Sequence, residues 1–248
     1  MTGRELEGRV ALVTGGARNI GRAICLALAD GGATVVVNAR TSLDAAQAVV
    51  AEIEQAGGKA LAHLADVAEE APVEAMLAEV RKRFGRLDIL VNNAAVRDVT
   101  KIDDIDLATW RYVTGVILDG AFICTKAALP LLRASDAAAI VNIGGMSGHT
   151  GAAGRPHVVA AKLGLVGLTR ALAHDLGPSG ITVNCVVPGY IDTQRGASSG
   201  PPREQHAGVL GKRGKPEDVA NMVRMLCGPD ARYLTGQEWH VNGGAYMG

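Results

Sequence analysis

The stretch that decides the fold is Val10-Ala-Leu-Val-Thr-Gly-Gly-Ala-Arg-Asn-Ile-Gly21. Its first four residues are apolar and read as a buried strand, and residues 19–29 carry the apolar spacing of a helix. Between them, Gly15 and Gly21 leave backbone N–H groups bare, so a strand-to-helix turn of this kind brings the helix N-terminus up to a pyrophosphate. A glycine-rich turn alone is a weak signal. Placed directly after a first strand and opening a first helix, it is a strong one.

Working outward, short apolar runs alternate with amphipathic segments. Ala33-Thr-Val-Val-Val-Asn38 reads as a second strand, followed by a helix over 42–56 and a third strand over 59–65. Val73, Met76, Leu77, Val80 and Phe84 recur in steps of three and four and lay one stripe along a third helix. Further strands are expected over 87–91, 138–143, 181–187 and 238–241. Strands that are apolar throughout and separated by helices imply a parallel sheet covered on both faces. The expectation is α/β: one doubly wound domain over residues 1–248, with seven parallel strands. Gly196-Ala-Ser-Ser-Gly-Pro-Pro202 reads as a loop inside that domain, either a lid over a site or a passive surface segment.

Composition narrows the function classes. The 248 residues are 48% hydrophobic and 20% charged, which excludes disorder, and 25 basic side chains balance 25 acidic ones. This neutrality gives no electrostatic reason to expect nucleic acid or an anionic membrane as partner. Cys25, Cys124, Cys185 and Cys227 stand far apart among apolar neighbours, so neither a disulfide framework nor a cysteine zinc site is indicated, and no metal is expected. The N-terminus lacks the apolar core of a signal peptide and no uninterrupted apolar run has membrane-spanning length, so a cytoplasmic protein is expected. Glycine is abundant (32 residues) and tyrosine scarce (four), so each tyrosine can be weighed singly.

The second strand ends at Asn38-Ala-Arg40, where an acid would hold a ribose 2′-hydroxyl. Arg40 instead, with Arg18 in the turn, offers cations suited to a 2′-phosphate, which favours NADP(H) over NAD(H). The alternative for both arginines is a solvated surface position.

With these motifs the chain resembles the short-chain dehydrogenase/reductase family, particularly its beta-ketoacyl carrier-protein reductase-like branch, from about Gly8 to the C-terminus. The family's Thr-Gly-x-x-x-Gly-x-Gly turn is met by Thr14, Gly15 and Gly21, with Asn19 replacing the middle glycine beside Ile20. Asparagine tolerates positive φ better than other side chains, so the turn is expected to survive. Asp66 and Val67 fall where the family contacts the adenine, Asn92-Asn-Ala-Ala95 matches its segment after strand four, and Pro188-Gly-Tyr-Ile-Asp-Thr193 its nicotinamide loop. The resemblance implies a Rossmann-type fold and a cofactor lined by Gly15, Arg18, Asn19, Ile20, Gly21, Arg40, Asp66, Val67, Asn93, Lys162, Gly189, Ile191 and Thr193. It also implies a homo-oligomer, dimer or tetramer, with the apolar stretch 121–132 suited to an interface.

The resemblance breaks at the chemistry. The family pairs a tyrosine with a lysine four residues later, one helical turn apart, so that the ammonium lowers the phenol's pKa; a serine holds the substrate oxygen and an asparagine supports a water relay. Lys162 is present, but Val158 stands at the tyrosine position, Gly145 at the serine position and Ile117 at the asparagine position. Lys162 is therefore the one catalytic residue carried over. His157 lies about 140° around the helix from Lys162 and is expected to point away, as a partly exposed helix-start histidine. His149 is a candidate for the substrate cleft, Ser147 for a displaced hydroxyl and Tyr190 for the nicotinamide side, whereas Tyr112, Tyr233 and Tyr246 cannot be placed at the vacant position. Three functions stay open: an NADP(H) oxidoreductase of carbonyls or alcohols with an atypical mechanism, a silent nucleotide-binding module or partner subunit, and a non-redox lyase or isomerase. The substrate itself is not legible.

Overall fold

The computed structural model describes residues 3–194 and 208–248; the loop read over 196–202 lies outside the described residues. Seven strands form one parallel sheet in the order β3-β2-β1-β4-β5-β6-β7: β1 Val10–Val13, β2 Thr34–Ala39, β3 Lys59–Leu64, β4 Ile89–Asn92, β5 Ala139–Ile143, β6 Thr182–Pro188 and β7 Glu238–Val241. The helices are α1 Asn19–Asp30, α2 Leu43–Gln55, α3 Glu70–Phe84, α4 Leu107–Thr114, α5 Gly120–Leu132, α6 Ser147–Thr150, α7 Pro156–Leu176 and α8 Pro216–Cys227. The doubly wound sheet expected from the sequence is present, with strand ends within two residues of those read from the apolar runs.

The central strands β1, β2, β4, β5 and β6 are buried on both faces because both are covered, while the edge strands β3 and β7 are only partly buried. Ala11, Val13, Val35 and Val37 face the layer holding α1, α2 and α8, while Val10, Leu12, Val36 and Leu90 face that holding α3 and α5. At roughly 1.5–3 kcal/mol for each fully buried Val or Leu, these two cores are the main source of stability. Asp88, just before β4, is fully buried; its carboxylate accepts from the Val10 N–H at 2.8 Å and from Arg86 at 2.7 Å, locking β4 to β1.

Between α4 and α5 the helix widens into a π turn, Gly115–Asp119. Such a turn leaves one residue out of helical register and is common at functional sites; here it contains Ile117. The run Leu107–Leu132 has the length and mean hydropathy (1.6) to cross a membrane, but half of it is buried inside the fold.

Candidate active site

Strand order reverses between β1 and β4, and at the carboxyl ends of β1, β4, β5 and β6 a cleft of about 420 Å3 opens, where doubly wound sheets bind ligands. The turn after β1 forms one wall. Gly15 has φ 61°, and Asn19, with φ 50°, is the one non-glycine residue at positive φ among those described, as its place in the turn requires. A Cβ on Gly21 would stand 2.2 Å from the Gly15 carbonyl oxygen and 2.6 Å from Asn93 Nδ2, so only glycine fits. Among the described residues no side chain caps α1, which leaves its first amides available to an anion.

Two asparagines brace this turn. Asn93 donates through Nδ2 to the carbonyls of Thr14 (2.9 Å) and Gly15 (3.0 Å), so its amide shapes the turn while its edge lines the cleft. Asn38, buried in β2, accepts from the Gly15 N–H at 3.2 Å and donates to the Ala65 carbonyl. Asn19 reaches across the cleft: it donates to the Gln194 carbonyl at 3.1 Å and accepts from the Gln194 N–H at 2.9 Å. Its side chain thus clasps the turn to the loop after β6, which the middle glycine of the family turn cannot do.

The remaining expected residues divide. Gly15, Arg18, Asn19, Ile20, Gly21, Asn93, Lys162, Gly189 and Ile191 line the cleft together. Gly189 packs so closely on Asn242 that a Cβ would lie 2.5 Å from that residue's own. Arg40, Asp66, Val67 and Thr193 are not in its lining. Val67 packs into the core against Gly120, and the Asp66 carboxylate accepts from the Ala68 N–H. Thr193 accepts from Arg97 at 2.8 Å. Arg18 reaches Ser42, just past β2, while the exposed Arg40 donates to the Tyr112 hydroxyl and lies 5.7 Å from its ring.

Lys162, on α7, donates to the Ile143 carbonyl at the end of β5. Burial pushes its ammonium down to about 8; the nearby Arg97 pushes the same way, against the Cys185 thiol. Val158, one turn earlier, also lines the cleft and packs with Ile117, Val113, Ala121, Ala161 and Leu165 in a wholly apolar cluster. At Gly145 a Cβ would sit 3.7 Å from Lys162 Cγ in ordinary contact, so a side chain there has room. Ser147 and Tyr190 line the cleft as well.

Two histidines differ from expectation. His157 is fully buried rather than partly exposed, because its Nε2 bonds Asp98 at 2.9 Å across the start of α7; it lies outside the cleft, as its helical angle requires. His149 faces a separate cavity and touches β7 instead of the cleft. Arg97 and Arg213 do line the cleft and were not singled out in the sequence, which offers no motif around them.

A family model described as enoyl-(acyl carrier protein) reductase matches residues 15–246. The 3-oxoacyl-(acyl-carrier-protein) reductase of Synechocystis is 40% identical over 243 residues, 98% of each chain. The chain belongs to the short-chain dehydrogenase/reductase family. The Escherichia coli protein described by the same reductase name is 38% identical, covering 97% of this chain and 98% of its own. Among solved structures of the short-chain dehydrogenase/reductase fold, a short chain dehydrogenase from Burkholderia cenocepacia in complex with NADP superposes with a TM-score of 0.90 at 38% identity, over 97% of this chain and 99% of that one.

Proposed function

We propose that this chain is an NADP(H)-binding oxidoreductase of a carbonyl or alcohol substrate in which Lys162 itself carries the proton. The supporting observation is a lysine whose pKa burial lowers to about 8, lining a cleft beside Gly145 and Val158, neither of which can donate a proton.

The cleft fits a dinucleotide on its own geometry: the bare Gly21, Asn19 at positive φ and the uncapped amides of α1 form a cradle that a Cβ would fill. NADP in the Burkholderia relative supports the phosphate-bearing form, as do Arg18 and Arg40 near the end of β2. When bound, the cofactor supplies or accepts a hydride. Arg18 and Arg40 would hold the 2′-phosphate, Gly15 to Gly21 the pyrophosphate, and Asp66 and Val67 the adenine side. Asn93, Gly189, Ile191 and Thr193 would hold the nicotinamide side.

On reduction the substrate oxygen gains a proton from Lys162 Nζ, and on oxidation Nζ takes it back. At pH 7 a lysine of pKa about 8 is roughly nine-tenths protonated, yet about 300-fold more acidic than one at 10.5. The Ile143 carbonyl fixes the direction of Nζ. The relatives' names support a carbonyl substrate. A homo-oligomer is supported by the exposed Phe122 on α5 and Leu163 on α7.

A second reading is a silent NADP(H)-binding subunit, favoured by the apolar cluster that holds Val158 and Ile117. Titration with NADPH followed by its fluorescence, then a panel of ketones and aldehydes with NADPH, separates the two. The proposal predicts saturable binding and turnover that Lys162→Met removes. Binding without turnover establishes the silent reading, and no binding at sub-millimolar cofactor overturns both.

A further inference from the structure

Beside the cofactor cleft, and sharing none of its lining residues, lies a second cavity of about 840 Å3. It is walled by α6, α7, β7 and the segment after β7. His149 enters it from α6; Glu238 and His240 enter it from β7, where residues two apart point to one side.

One ligand atom from each of these three side chains lies within 4.8 Å of those of the other two, and all three residues are half-buried. His149 Nε2 stands 3.1 Å from Glu238 Oε2, while the other carboxylate oxygen is held by Arg170 of α7. His240 Nδ1 is buried and has no hydrogen-bond partner among the described residues. The rings of His149, His240 and Tyr246 pack with centroids 5.0–5.4 Å apart, which fixes the imidazoles in place.

We propose that His149, Glu238 and His240 form a binding site for a divalent transition-metal ion of the zinc type. Two imidazole nitrogens and one carboxylate oxygen are a donor set such ions take, with a fourth position left to water. A tetrahedral ion with bonds near 2.1 Å sets its ligands about 3.4 Å apart, so the three atoms need to close by at most about 1.4 Å. The ion would satisfy His240 Nδ1, and Arg170 would remain on the outer oxygen and orient the carboxylate. Arg170 faces the site from α7, and its charge opposes a bound dication. Bound here, the ion would pin α6 to the edge strand; α6 begins at Ser147, which lines the cofactor cleft.

The test is zinc titration of the tag-free, EDTA-dialysed chain at pH 7.5 against a competing chromophoric chelator. One equivalent is expected to bind with a Kd of about 10 µM or tighter, and His149→Ala and His240→Ala each to weaken it at least about tenfold while leaving NADPH binding unchanged. Should either alanine variant fail to fold, His149→Gln and His240→Gln replace them. Cobalt(II) on the unmodified chain gives an independent readout, the intense visible absorption of a four-coordinate ion. Zinc binding weaker than about 100 µM, stoichiometric binding retained in the double His149/His240 variant, or a weak six-coordinate cobalt spectrum overturns the proposal.

Discussion

Replacing Lys162 with methionine is expected to stabilise the protein while removing its activity. Lowering an ammonium from 10.5 to about 8 means that holding it charged inside the fold costs about 3 kcal/mol at neutral pH. Methionine removes that cost and keeps most of the apolar stem, but it leaves the Ile143 carbonyl without its donor, a loss of about 1–2 kcal/mol. The net gain is about 1–2 kcal/mol, or roughly 2–8 °C in Tm for a chain of this length. The sign with pH follows from the lowered value. Between about 8 and 10.5 the unfolded chain holds a proton that the folded chain has released, so wild-type stability rises with pH through that window. By pH 10 the residual cost is below about 1 kcal/mol and the advantage of Lys162→Met vanishes. Thermal unfolding of the cofactor-free wild type and variant at pH 7 and pH 10 reads both effects. A variant no more stable than wild type at pH 7, or an advantage that persists at pH 10, refutes the desolvated ammonium.

Three further outcomes are expected. Arg18→Ser combined with Arg40→Ser should weaken NADPH at least about tenfold and leave NADH unchanged, measured by fluorescence titration, since each charge-assisted phosphate contact is worth about 1.5–3 kcal/mol. Restoring Ile117→Asn, Gly145→Ser and Val158→Tyr together should raise ketone reduction by about 10²–10⁴-fold at the expense of stability. The Gly145 position has room for a hydroxyl, but an amide in place of the Ile117 side chain would enter the apolar cluster of Val113 and Leu165 at about 1–3 kcal/mol. Asp88→Ala should destabilise the chain by about 1–3 kcal/mol in urea titration, since it leaves the buried Val10 N–H without its acceptor, while the part-exposed Arg86 keeps Asp136. Burial opposes ionisation of Asp88, but Arg86, Ser135 and the Val10 N–H outweigh it and hold its carboxyl below 3.8; this contribution is present above that pH and fades as pH falls through the lowered value.

The sheet was readable because a parallel strand buried on both faces has no polar alternation to confuse it; each short run read as a strand is one, while the longer apolar stretch 121–132 lies in helix α5. The turn was readable through Asn19, whose tolerance of positive φ is a local property, and φ 50° bears that out. What the sequence concealed is long-range. Asn38 looks like an ordinary strand residue until its side chain is found bracing Gly15. Arg97 and Arg213 reach the cleft from segments without a motif, and Asp98, far from His157 in the chain, explains why that histidine is buried. His149 is a candidate for the cleft because it follows Gly145 by four residues, but the short α6 turns it towards β7, almost ninety residues further on. No spacing rule links residues that meet only when the last strand joins the sheet.

The most direct test is the pH dependence of kcat/KM for NADPH-driven reduction of an active ketone from the panel. With Lys162 as proton donor, activity holds below its pKa and falls as pH rises through about 8, and the profile disappears in Lys162→Met. A rate that climbs with pH across this range, or one that survives unchanged in Lys162→Met, would contradict it.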